Sequence, residues 1–266
     1  MKIGVTGITG RMGKEIANAV IDDNIVELSS GLVRLGSNLD NSDLGEFLNH
    51  PKSSGRIFSN IDNFVKNCDV VIDFSSPDLS LMIAKSCSDN KKILVCGTTG
   101  FSIEQKEQLI SYSNNIVVIW SANMSVGINV LLNLVEKAAK TLREDFDVEI
   151  VEMHHKNKID APSGTALLLG SAVASGRNVD LQDKAVMARF GNNNARKSGE
   201  IGFATIRGGD VIGDHQVIFA GDGERIEISH KASKRNIFAK GAIRAAIWGS
   251  NQKAGFYSMQ DVLDSE

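Results

Sequence analysis

The chain has 266 residues and a formal charge of -3, from 29 Lys and Arg against 32 Asp and Glu, with no extended basic block. That length suits one large or two modest domains. The charge balance argues against nucleic acid as a partner but leaves room for a local cationic pocket. Cys68, Cys87 and Cys96 are odd in number, lack C-x-x-C spacing and sit in or beside apolar segments, the pattern of reduced, buried thiols in a cytoplasmic protein. No charged leader, apolar core and cleavage site precede the first strand, and no apolar run approaches the ~18 residues of a membrane span, so no membrane partner is expected.

The chain opens with an apolar strand over 2–6 that runs into Gly7, Ile8, Thr9, Gly10, Arg11, Met12 and Gly13. A helix patterned by Ile16, Ala17, Val20 and Ile21 follows. Strand, glycine turn and helix in this order let a diphosphate approach a helix N-terminus. The spacing G-x-x-G-x-x-G departs from the commonest dinucleotide fingerprint, and a ligand-free glycine turn has the same pattern. A second strand over 25–33 ends at Val33 and Arg34, the place where dinucleotide folds meet the adenosine ribose. Residues 35–54 read as a loop with at most a helical turn near 44–48. Alternation then continues with a strand over 56–58, a helix over 61–67, a strand over 70–74 and a helix opening at Pro77. Next come a strand over 93–96, the loop Gly97, Thr98, Thr99 and Gly100, and a strand over 116–120 that leads to Ser121, Ala122, Asn123 and Met124.

Beyond Asn123 the texture changes. A long helix pattern over 126–142 precedes a strand over 148–153, which delivers a loop holding His154, His155, Lys158 and Asp160. Pro162, Ser163, Gly164 and Thr165 then open a helix over 163–174. A helix opening offers N–H groups to an anion, Lys158 adds positive charge, and an imidazole exchanges protons near neutrality. Solvated loop residues and a plain Ser163 N-cap remain the simpler alternative. Adjacent histidines point in different directions and no Cys or third His lies nearby to complete a tetrahedral set, so no metal is expected. After a polar link over 175–183, strands are expected over 184–189, 201–207, 211–219 and 225–229, with hairpin turns at Gly208-Gly209-Asp210 and Gly221-Asp222-Gly223. Asn192 to Asn194, with Arg196 and Lys197, read as a flexible loop. A last helix is expected over 236–248.

The run His154-His155-x-x-Lys158-x-Asp160-Ala-Pro-Ser-Gly-Thr165 resembles the signature loop of the dihydrodipicolinate reductases, enzymes of bacterial lysine and diaminopimelate synthesis. The blocks Gly7 to Gly13, Gly97 to Phe101, Ser121 to Gly127, Ile201 to Thr205 and His230-Lys-Ala-Ser extend the resemblance over essentially the whole chain. It implies an α/β fold. A Rossmann-type dinucleotide-binding domain (1–125 and 236–266) would carry an inserted α+β domain (126–235) for substrate binding and oligomerisation, with a mixed, largely antiparallel sheet. It further implies a homotetramer, a nicotinamide end lined by 97–99 and 121–124, and Arg235 among the cofactor contacts.

Together these readings lead to hydride transfer from NAD(P)H to a cyclic dicarboxylate, with His154 as general acid and Lys158 as the second catalytic residue. His155, Lys158, Ser163, Gly164 and Thr165 would bind substrate. Val33 has no acceptor for a ribose 2'-hydroxyl, whereas Arg34 suits a 2'-phosphate, so NADPH is expected over NADH. Stacking of Arg34 on adenine would serve either cofactor. Two other readings are a semialdehyde dehydrogenase using Cys96 as nucleophile and a non-catalytic dinucleotide sensor.

Overall fold

The structure, a computed structural model, describes residues 1–50, 55–191 and 195–264. These divide into two compact units, Met1–Val126 with Arg235–Glu266, and Gly127–Lys234. No helix among the described residues is long and apolar enough to cross a membrane.

The first unit contains β1 (Lys2–Val5), α1 (Arg11–Ile21), β2 (Glu27–Leu32), α2 (Leu44–Leu48), β3 (Arg56–Phe58), α3 (Ile61–Lys66), β4 (Val70–Asp73), α4 (Pro77–Asn90), β5 (Ile93–Cys96), α5 (Ile103–Tyr112) and β6 (Val117–Trp120). Its strands form one wholly parallel sheet, in which β1 lies between β4 and β2 and the order reverses beside it. Short, nearly uninterrupted apolar strands such as Val70-Val-Ile are buried on both faces, as parallel sheets require. Ile16, Ala17 and Val20 of α1 pack on one face, and Phe64, Ile83 and Leu109 of α3, α4 and α5 on the other. Helix α5 is an addition to the elements expected from sequence. Leu109 is its sole buried residue, so it has almost no apolar stripe, and its mark is the Ser102/Gln105 capping box.

The second unit follows with α6 (Val126–Leu142), β7 (Asp147–His154), α7 (Gly164–Arg177), α8 (Leu181–Lys184), β8 (Ala185–Val186), β9 (Ile201–Arg207), β10 (Gly213–Gly221) and β11 (Glu224–Ala232). Its mixed sheet has the order β11-β10-β7-β9-β8, with the ladders on either side of β10 antiparallel and those on either side of β9 parallel. Val148, Ile150, Phe203, Val217 and Phe219 from one face form a core with Leu131, Val135, Leu169 and Val173 of α6 and α7. The chain then returns to the first unit as α9 (Asn236–Gly249), β12 (Gly255–Tyr257) on the edge of the parallel sheet, and α10 (Met259–Asp264). The last two elements extend beyond the expected final helix.

Three expectations need correction. Gly208-Gly209-Asp210 does not close a hairpin, because β9 and β10 lie on opposite sides of β7, and the connection instead crosses the end of that strand. Gly221-Asp222-Gly223 does turn β10 into β11, with Gly223 at φ +86°. The strand expected over 184–189 shrinks to two residues. Residues 192–194 lie outside the described residues, but Arg196 is no part of a flexible loop. It is tied to Asp147 at 2.8 Å, to Glu149 and to the Val148 carbonyl.

Candidate functional site

Strand β7 carries the centre of the site. Its side chains alternate, so Val148, Ile150, Glu152 and His154 share the buried face. That face is apolar for its first half and ionic for its second. Glu152 is 1% exposed and both its oxygens are occupied. Oε2 meets His154 Nδ1 at 2.6 Å and accepts from Arg207 Nη1 at 2.8 Å; Oε1 accepts from Arg207 Nη2 and from the Ser163 amide, both at 2.9 Å. Burial raises the Glu152 pKa, but these hydrogen bonds from Arg207, His154 and Ser163 outweigh it and hold the carboxyl below its usual value.

The loop after His154 is fastened at several points. Gly208 N–H donates to the His154 carbonyl at 3.0 Å and Lys156 N–H to the Gly209 carbonyl at 3.2 Å, so the crossing turn from β9 frames the loop. Arg207 Nη2 also reaches the Asp160 carbonyl at 2.6 Å. Lys158 Nζ pairs with Asp160 Oδ1 at 2.8 Å. A cis Ala161–Pro162 bond leads to Ser163, whose hydroxyl caps α7 by accepting from the Ala166 amide at 3.2 Å. The amides of Gly164 and Thr165 open that helix.

Two further histidines stand close by, His215 unnoticed in the sequence and His230 noted there only as part of a family block. His215 Nε2 is 3.2 Å from Ser163 Oγ, and its ring meets that of His154 edge-on at 5.1 Å. His230 is its cross-strand partner. Burial, then the neighbouring His154, push the His215 pKa down to about 4. Burial also lowers His154, against the opposing pull of Glu152 and with Lys158 and Arg207 adding to the depression. His155 Nδ1 is buried with no hydrogen-bond partner among the described residues. No group of three or more metal-binding side chains occurs among the described residues.

In the first unit, the expected cofactor residues other than Arg235, which starts α9, follow the carboxyl ends of β1, β2, β5 and β6, where open α/β sheets bind ligands. Gly7 has φ +56°, its carbonyl accepts from Gly10 N–H at 2.8 Å, and Gly10 starts α1 without a side-chain cap. A Cβ on Gly13 would lie 2.1 Å from the Gly7 carbonyl oxygen, so only glycine lets α1 pack this close to the turn. Thr9, Arg11, Arg34 and Thr99 are exposed there; Met12, Gly97, Ser121, Ala122, Asn123 and Arg235 are half-buried. Ile8, Val33 and Met124 instead direct their side chains into the core. Thr98 is also buried, and its hydroxyl bonds to Asp73 at 3.1 Å and accepts from the Ser75 amide at 2.9 Å. The uncapped first turn and the glycine cradle fit a dinucleotide diphosphate. Sequence reading missed Asp73, a fully buried carboxylate that ties Thr6, Ser80 and Thr98 together. An acid inside an otherwise apolar strand was its signal.

The family pattern described as dihydrodipicolinate reductase, N-terminus, matches residues 1–124, and that of the C-terminus matches residues 127–263. The chain belongs to the dihydrodipicolinate reductase family. The 4-hydroxy-tetrahydrodipicolinate reductase of Nitrosospira multiformis is 48% identical over 263 residues, 99% of this chain and 97% of its own length. That of Bartonella tribocorum is 47% identical over 99% of this chain and 98% of its own. Among solved structures, a dipicolinate-bound dihydrodipicolinate reductase from Paenisporosarcina sp. TG-14 superposes with a TM-score of 0.77 at 25% identity, covering 97% of each chain. Members of this reductase family therefore share both sequence and fold with the chain along its whole length.

Proposed function

We propose that the chain reduces 4-hydroxy-tetrahydrodipicolinate to tetrahydrodipicolinate in lysine and diaminopimelate biosynthesis, using NAD(P)H. The observation that carries the reading is the His154 ring, anchored through Nδ1 on a buried carboxylate beside Lys158 and the opening of α7. When bound, the reduced nicotinamide supplies the hydride. His154 gives a proton to the charge that hydride addition leaves on the ring. Burial favours the neutral form of His154; a substrate dianion placed against it would favour the imidazolium and so charge the acid as the site fills. Lys158, released from the exposed Asp160, and His155 take one carboxylate, while the amides of Gly164 and Thr165 with the Thr165 hydroxyl take the other. The buried Cys96 thiol, raised to about 12 by burial first and then by Asp73, argues against thioester chemistry.

The diphosphate would lie on residues 7–12, the adenosine ribose beside Val33 and Arg34, and the nicotinamide against 97–99 and 121–124. With Val33 turned into the core and Arg34 exposed, NADPH is the favoured cofactor. The helix-free face of the five-stranded sheet keeps Val151, Met153, Ile206 and Ile218 partly exposed, which suits association into a homotetramer. The decisive assay follows loss of NADPH absorbance with ring substrate generated from pyruvate and aspartate semialdehyde. Oxidation that does not depend on this substrate would rule the reading out.

A further inference from the structure

The strand pattern of β7 predicts an apolar residue where Glu152 stands, since Val148 and Ile150 precede it on the same buried face. A buried ion pair gives up hydration that a packed apolar side chain never had to lose, so stability alone does not explain Glu152 with Arg207. What the pair touches does. An ionised carboxylate only accepts hydrogen bonds, so the 2.6 Å contact requires the proton on His154 Nδ1. The opposite ring nitrogen, Nε2, is then the one that exchanges protons, and it faces Gly213, where even a Cβ would come within 3.0 Å of it. The same two side chains hold the Ser163 amide and the Asp160 carbonyl, fixing the far end of the loop that carries Lys158.

We propose that Glu152 and Arg207 are positioning residues for proton transfer. Glu152 locks His154 in its Nδ1–H form with Nε2 presented for the reaction, and the Arg207 fork keeps Glu152 ionised and anchors the loop return at Asp160. The proposal rests on His154 being the general acid. Charged and titratable groups facing the His154 ring are Glu152 on its own strand, Arg207 on β9, His215 on β10 and Lys158 on the loop. Glu152 alone favours the imidazolium; the others oppose it.

The test is the pH profile of Glu152→Gln in the full-length enzyme, set beside wild type and His154→Ala. Losing the carboxylate charge should move the limb of kcat that falls with rising pH by about one unit toward acid, and lower kcat near neutrality about tenfold or more with KM changed less than about threefold. An unmoved limb with kcat within about twofold of wild type would overturn the proposal. Should Glu152→Gln fail to fold, nitrogen NMR of the wild-type imidazoles decides. The chain has five histidines, so His154 is assignable by its loss in His154→Gln. A neutral Nδ1–H form supports the proposal and a neutral Nε2–H form refutes it. An active His154→Ala would instead remove the general-acid reading beneath it, whereas an inactive one beside an unaltered Glu152→Gln would sink only the positioning role.

Discussion

His154 and Glu152 sit two residues apart on β7, and their side chains meet at 2.6 Å between Nδ1 and Oε2 on the buried face of the strand. The period of two that builds the core from Val148 and Ile150 thus also places His154 and the carboxylate that holds it at the strand's carboxyl end. Rigid placement of this kind is what a strand offers over a loop.

Substitution at the proposed proton-transfer centre should act on turnover. His154→Ala and Lys158→Ala are each expected to lower kcat by a factor on the order of 100 or more, while His155→Ala chiefly raises KM. Steady-state kinetics over a range of substrate concentrations make the distinction. Near-normal kcat in both of the first two variants would take the loop out of catalysis.

The proposed preference for NADPH rests on Arg34. Its alanine variant should lose about tenfold in kcat/KM with NADPH and less than about threefold with NADH, the difference expected of one charge-assisted contact to a 2'-phosphate. Equal losses with the two cofactors would assign Arg34 to adenine stacking.

Folding stability should fall with acidification because of His215. Its pKa is about 4 in the folded chain and near the ordinary 6.5 when unfolded, so between those values the unfolded state binds the extra proton. The stability that neutral His215 maintains is present in full above about 6.5 and declines as pH falls toward 4, a change of about 3 kcal/mol. Urea melts of wild type and His215→Gln at several pH values should converge toward acid. Parallel curves would contradict the assignment.

Thiol chemistry offers an independent check on the core. Burial raises Cys68 and Cys96 to about 12 and Cys87 well above its ordinary value, and all three are essentially unexposed. Iodoacetamide should leave the native enzyme unlabelled and active, and label three sites in urea. Rapid native labelling of Cys96 with loss of turnover would reopen the thioester reading.

Local patterns determined a great deal. Glycine spacing after β1, Pro77 at a first helical turn, and the Ser163 cap each depend on backbone geometry within a few residues, so the glycine turn, most elements and the course of the His154–Lys158 loop were legible before any packing was known. Three helices and an edge strand escaped because their stability comes from docking: α5 buries only Leu109, the four-residue α8 rests against α7, and β12 and α10 are short segments held against β6 and α9. Strand order decided the rest. Gly208-Gly209 carries the same turn signal as Asp222-Gly223, yet β7 lies between β9 and β10, and that insertion places Arg207 beside Glu152 and His215 beside His154. Arg207 and His215 lie 55 and 61 positions beyond the residues they serve, counting from 152 to 207 and from 154 to 215. No periodicity in the chain spans such distances; hydrogen bonding between strands of the folded sheet brings them together, and with them the charge environment of His154.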